Sequence, residues 1–240
     1  MIAAVGWGAL GASALLVGAL ITYHLAPGRR VIAVVMALGV GLLIGSVSFE
    51  LVDEALRTRS AAAVGAAVLV GAVVFAAGDW LIERRGGGDR TDAGGAQAKG
   101  SPLGIVLGSV LDGIPESFVL GLTVLQGAVS VPLLAGVLLS NLPEGMSSSS
   151  GLRLAGWRER RVLLMWSAVV AVSALAAGLG YVVLDPLRGF TGALVEAFAA
   201  GALLAMLSTS LLPEAYDVEG VFTGPLVVTG FAVSLLLAGL

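Results

Sequence analysis

Residues 102–152 read PLGIVLGSVLDGIPESFVLGLTVLQGAVSVPLLAGVLLSNLPEGMSSSSGL, and the fold follows from how this stretch is interpreted. It contains two apolar segments of membrane-spanning length, each with acids and a proline in its middle. The first holds Asp112, Gly113, Pro115 and Glu116, the second Ser140, Asn141, Pro143, Glu144 and Gly145. An ionisable side chain in the middle of a bilayer costs about 2.5–3.5 kcal/mol on insertion scales, and in practice marks an ion or substrate path. The stretch therefore reads as a membrane transport site, with the remaining helices as its support.

The composition outside this stretch agrees. The chain is 58% hydrophobic and only 12% charged, with a mean hydropathy of +1.00, which excludes an ordinary soluble domain. Its 35 glycines suit helices that pack closely in lipid, where small residues let backbones approach. The absence of cysteine excludes disulfides and thiolate ligands, and the single histidine, His24, excludes any mechanism needing two imidazoles. A net charge of -3 gives no reason to expect a nucleic-acid partner.

Apolar windows of about 18 to 22 residues, the length of a spanning helix, can be placed near 3–24, 31–52, 61–83, 103–126, 131–152, 162–184, 191–213 and 221–240. The first has full span length and no basic start, so it reads as a span and not as a removable signal. The expectation is an all-α integral membrane protein with eight transmembrane helices, a single domain over 1–240. Residues 1–83 form a first three-helix repeat, 84–101 a hydrophilic cytoplasmic loop, 102–152 a central pair and 160–240 a second three-helix repeat. Of the 13 Lys and Arg, all but Arg57, Arg59 and Arg188 fall in loops on one side: Arg29, Arg30, Arg84, Arg85, Arg90, Lys99, Arg153, Arg158, Arg160 and Arg161. The positive-inside rule then places both termini outside, in a multi-pass protein of the cell membrane.

The repeat lies at an offset of 160 residues. GLLIGSVSFELVDEA, 41–55, aligns without gaps on GALLAMLSTSLLPEA, 201–215, matching Gly41 with Gly201, Ser48 with Ser208, Leu51 with Leu211 and Glu54 with Glu214. The second copy lies five helices further along, so the two copies are expected with opposite orientations. That gives a 3+2+3 arrangement with inverted repeats, the pattern of secondary transporters, whose sites lie near the midplane beside broken helices.

In the fourth helix Ser109, Asp112 and Glu116 are three and four residues apart and share a face, as do Ser140, Asn141 and Glu144 in the fifth. Pro115 cannot donate to the carbonyl of Leu111, nor Pro143 to that of Leu139, so each helix also offers a bare backbone oxygen. Carboxylates, hydroxyls, an amide and freed carbonyls make an oxygen-rich set suited to a divalent cation.

This pair resembles the fourth and fifth helices of the ZIP (Zrt/Irt-like protein) metal transporters, whose signatures run roughly H-N-x-x-[DE]-G and H-[NED]-x-P-[EH]-[GE]. Ser140-Asn141-Leu142-Pro143-Glu144-Gly145 keeps all of the second except its leading histidine. Gly108-Ser109-Val110-Leu111-Asp112-Gly113 keeps the acid and glycine of the first, with Gly108 in place of histidine and Ser109 in place of asparagine. The likeness extends to the eight-helix plan, the outside termini and the loop after helix three. It implies a ZIP-like permease that moves divalent cations of the zinc, iron and manganese class into the cytoplasm by alternating access. Asp112, Asn141 and Glu144 would stand at metal-ligand positions, with Ser109 and Ser140 as weak substitutes and Glu116 as an additional ligand. Without the histidines, the set suits harder cations such as manganese, magnesium or calcium better than zinc.

The metal would be cargo and not a resident cofactor, and the expected partners are the cation, the lipid bilayer and at most a second copy of the chain. Two alternatives stand beside this reading. One is a transport-inactive relative that binds metal or a partner. The other is an intramembrane acid-dependent hydrolase using Asp112 and Glu144, against which count the lack of an HExxH motif, a Ser-His pair and cysteine. No enzyme is therefore expected. Glu50, Asp53, Glu54, Glu214 and Asp217 lie at the expected mouths of the path, where they either gather cations or cap helices. Asp79 is expected at the interface and Glu196 toward the bundle. Serines 147–150 are expected either to line a wet exit or to pack helices, and Trp7, Trp80 and Trp157 to form a belt at the headgroups.

Overall fold

The computed structural model describes residues 1–87, 102–125, 129–184 and 190–239. The expected hydrophilic loop lies outside these residues from position 88 onward, as do Arg90, Lys99 and Arg188. The described residues form helices and no strands: α1 (Ile2–Leu25), α2 (Arg29–Ser46), α3 (Asp53–Thr58), α4 (Ala61–Ile82), α5 (Pro102–Leu125), α6 (Val131–Leu154), α7 (Glu159–Leu184), α8 (Phe190–Met206), α9 (Leu212–Glu219) and α10 (Thr223–Ala238). Local chemistry sets several starts and stops. Ser60 and Ser130 accept hydrogen bonds from the amides of Ala63 and Leu133 at the starts of α4 and α6, and α1 ends in a left-handed turn at Ala26, φ 47°. Residues 84–87, expected to open the loop, instead prolong α4 through the π turn Glu83–Gly87.

Among the described residues, six helical stretches are long and apolar enough to cross a membrane: Ile2–Leu25, Arg29–Thr58, Ala61–Arg85, Gly104–Val124, Glu159–Val182 and Gly192–Ala238. The last covers 47 residues, about 70 Å of helix at 1.5 Å per residue, against a hydrocarbon core of about 30 Å. It is broken at Gly220, whose φ of 57° no continuous α-helix permits. Helix α6 is 24 residues long but carries Ser140, Asn141, Glu144 and serines 147–150. The outside of the bundle is apolar: Leu69, Val70, Val73 and Val74 of α4 and Leu164, Leu175 and Leu179 of α7 are exposed. Its interior holds polar groups, including Ser147, Ser148 and Ser149. Apolar faces on this scale would aggregate in water and are at home among acyl chains.

The 160-residue repeat is visible in the packing. Helix α2 packs on α10, and α8 packs on α4. At Gly41 an added Cβ would run into the carbonyl oxygen of Val227, and at Gly201 into that of Val68. Reciprocally, Gly230 lies on the carbonyl of Leu38 and Gly71 on that of Phe198, so positions 38 and 41 of one copy and 198 and 201 of the other have equivalent neighbours. Both copies then widen into π turns, Val47–Val52 and Leu207–Leu211. The hydroxyl of Ser48 donates to the carbonyl of Ile44 at 2.7 Å, and that of Ser208 to Leu204 at 2.7 Å. Such back-bonding bends helices, and single π turns in α-helices recur at functional sites.

Helices α5 and α6 sit inside this frame without packing along each other. Helix α6 lies on α1 and α2, and α5 on α7 and α1. Gly145 of α6 lies on the backbone of Leu15, and Gly18 of α1 on that of Leu142. The interval between the two central helices is therefore filled by side chains.

Candidate functional site

All six sequence-selected residues are buried. Ser109, Asp112 and Glu116 descend one face of α5, and Ser140, Asn141 and Glu144 one face of α6. The three acids are only 2–3% exposed, so their carboxyl groups face the protein interior. One direct link between the helices is Ser140, whose hydroxyl donates to Glu116 Oε1 at 2.8 Å. The same hydroxyl lies 3.0 Å from the carbonyl of Val137. One hydroxyl hydrogen thus faces two acceptors.

Asn141 donates from Nδ2 to the carbonyl of Gly11 on α1 at 3.2 Å and also hydrogen-bonds Glu116. Asp112 is close enough for its charge to act on Glu116. Glu116, Asp112, Ser140 and Asn141 therefore form one cluster, with Glu116 at its centre. Glu116 Oε2 and Ser109 Oγ are buried and have no hydrogen-bond partner. Buried polar atoms in that condition are rare, because each forfeits about 1–3 kcal/mol of solvation.

Glu144 is buried one turn beyond Ser140 on α6. A turn further on, Ser147 reaches Glu214 Oε1 of α9 at 3.5 Å. Ser149 accepts a hydrogen bond from Trp166 Nε1 at 2.9 Å, so this serine packs α7 onto α6. Met146, between them, gives its carbonyl to the Thr22 hydroxyl at 3.0 Å. Among the described residues, no three His, Cys, Asp or Glu side chains come together as a ligand group.

One expectation is corrected. The carbonyl of Leu139, which Pro143 leaves without a donor, was expected to face the acids. It lies instead against Gly39 of α2, where an added Cβ would stand 2.7 Å from the oxygen. The two backbones can approach this closely because position 39 carries no side chain.

Sequence reasoning ranked Glu116 as an extra beside a motif ending at Asp112. A signal for its central place was present: Asp112-Gly113-Ile114-Pro115-Glu116 and Ser140-Asn141-Leu142-Pro143-Glu144 share one spacing of proline and acid, which makes Glu116 the counterpart of Glu144. Ser173 of α7 was missed altogether. It is buried, and its hydroxyl would lie 3.0 Å from a Cβ added at Gly113, the residue after Asp112. Nothing in the sequence marks it.

Away from the centre, Asp79 and Glu196 are both buried, Glu196 as expected for a residue facing the bundle. Asp53 and Glu54 pair with Arg57 on the surface, at 3.0 and 3.6 Å. His24 Nε2 lies 3.3 Å from Glu159 Oε1, a specific partner in addition to the helix end. Trp80 and Trp157 each carry an arginine over the ring, Arg84 and Arg161, both at 3.7 Å. The chain matches no protein-family model and no curated protein.

Proposed function

We propose that this chain is a ZIP-like permease that carries divalent cations across the cell membrane into the cytoplasm by alternating access. The observation that carries this reading is the Glu116 cluster. Two helices that each carry an internal proline, Pro115 and Pro143, bring a carboxylate, a hydroxyl and an amide together at Glu116, beside Asp112 and away from solvent. Glu116 Oε2 and Ser109 Oγ are oxygen atoms whose burial a cation would offset. Every donor is oxygen, which favours manganese and other hard members of the class over zinc.

The break at Gly220 divides the 47-residue stretch in two, and α6 adds a helix of span length. The chain then crosses eight times, in the 3+2+3 order. The matched glycine crossings and π turns favour two inverted three-helix repeats moving against the central pair. His24, Arg29, Arg30, Arg153 and Arg158 all stand at the helix ends that the positive-inside rule assigns to the cytoplasm.

Uptake into proteoliposomes, with manganese, zinc, iron, cobalt, cadmium and magnesium, tests the reading. Wild type is expected to take up at least one of these ions, and Asp112→Ala and Glu144→Ala to reduce uptake about tenfold or more. Equal uptake in all three proteins would remove the site assignment. A second reading is favoured by the lack of a three-acid ligand group among the described residues. It is a transport-inactive relative that binds metal or a partner, and it predicts metal binding without uptake.

A further inference from the structure

A polar cavity of about 490 Å³ opens where α1 ends, α2 begins and α6 ends, lined by Thr22, Ala26, Pro27, Ile32, Ser150, Arg153 and Leu154. That volume lies in the range of sites for small ligands. Its lining includes one cation, Arg153, and no acid. The Arg153 guanidinium is oriented from within the protein: Nη1 donates to the carbonyl of Thr22 at 2.9 Å, and the group lies 5.6 Å from the centre of the Tyr23 ring. Arg153 is exposed, and these two contacts tether its guanidinium at the cavity while its remaining N–H donors, of five in all, can serve a ligand.

Two acids at this end of the bundle have other partners. Glu159 is paired with His24 at 3.3 Å, and Glu219 with Arg30 at 2.9 Å. At the rim α2 begins at Gly28 with no side chain capping it and no acid in its first turn, so its positive end is not neutralised by its own residues.

We propose that this cavity binds a phosphate-bearing anion, with Arg153 as its anchor. The same chemistry could be supplied by the headgroup of an anionic phospholipid or by free phosphate. Neither source depends on cation transport, so the inference stands or falls independently of the permease reading.

The test uses the full chain purified in detergent. Native mass spectrometry reads retention of added phosphatidylglycerol against phosphatidylcholine, and a thermal scan reads the response to inorganic phosphate. For at least one of the two anions, Arg153→Gln is expected to weaken binding about tenfold or more, the scale of charge-assisted hydrogen bonds. Arg153→Lys should weaken it less, and Arg160→Gln, outside the cavity, should leave it unchanged. Leu154→Trp keeps every charge and fills the mouth, and it should also weaken binding, which guards against a folding defect in the arginine variants. Preferential retention of phosphatidylglycerol identifies a headgroup, and a rise in Tm with phosphate alone identifies the soluble ion. Failure of wild type to bind either, or equal binding by wild type, Arg153→Gln and Leu154→Trp, overturns the proposal.

Discussion

Where α2 crosses α10 and α8 crosses α4, a glycine lies on the carbonyl oxygen of the facing helix, and contact is backbone to backbone. Where α5 faces α6, the backbones stay apart, each helix carries a proline, and Ser140, at 2.8 Å, and Asn141 of α6 both hydrogen-bond the Glu116 carboxylate of α5. The difference shows how work is divided in a protein that packs in lipid. Helix association there gains nothing from hydrophobic transfer, so the supporting crossings rely on close van der Waals approach at small residues. The central pair gives up that packing and is held by its neighbours, α1, α2 and α7. It can therefore keep buried acids that a self-supporting pair would not tolerate.

The largest effects should come from breaking the crossings. Gly41→Leu and Gly201→Leu each force a side chain into a backbone oxygen, so both should cost more than about 3 kcal/mol. The readout is loss of the monodisperse peak on size-exclusion chromatography and a fall in Tm. Gly65→Leu, with nothing within 4 Å of its added Cβ, is the control and should change stability by less than about 0.5 kcal/mol. If Gly41→Leu and Gly65→Leu behave alike, the crossings are not what hold the frame.

At the centre the order of effects should reverse, with function lost before stability. Glu116→Gln keeps the shape and the bond to Ser140 but removes the charge, so uptake should fall about tenfold or more while Tm stays within a few degrees. An unchanged rate in Glu116→Gln would return the central role to Asp112 and Glu144 alone. Ser140→Ala leaves Glu116 Oε1 without its hydroxyl donor, at about 1–3 kcal/mol, and should weaken metal binding several-fold in a calorimetric titration. The smallest effect should follow Arg57→Ala, which breaks exposed pairs with Asp53 and Glu54 and should move stability by less than about 0.5 kcal/mol in a thermal scan.

The frame was largely legible in the sequence, because lipid imposes a simple rule: long apolar runs become helices. The match of Gly41 with Gly201 and Ser48 with Ser208 marked the two segments as related, but the glycine crossings and the hydroxyl bonds that these residues make appear only in the structure. The π turns were not legible, since they depend on how a helix relaxes around its neighbours. At the site, the burial of Asp112, Glu116 and Glu144 followed from their depth in apolar runs. The direction of the Leu139 carbonyl did not, because proline frees an oxygen without deciding what covers it. Ser173 was invisible for a related reason: it reaches Gly113 through the packing of α7 on α5, which no local pattern encodes.

The central claim is that oxygen atoms from α5 and α6 jointly hold a doubly charged ion, and equilibrium binding of manganese to the purified protein tests it most directly. Titration calorimetry should show saturable binding to wild type, lost in Asp112→Ala and in Glu144→Ala, with both variants still folded. Saturable binding that survives the paired substitution of Asp112 and Glu144, or no binding by folded wild type to manganese, zinc or iron, would contradict the account.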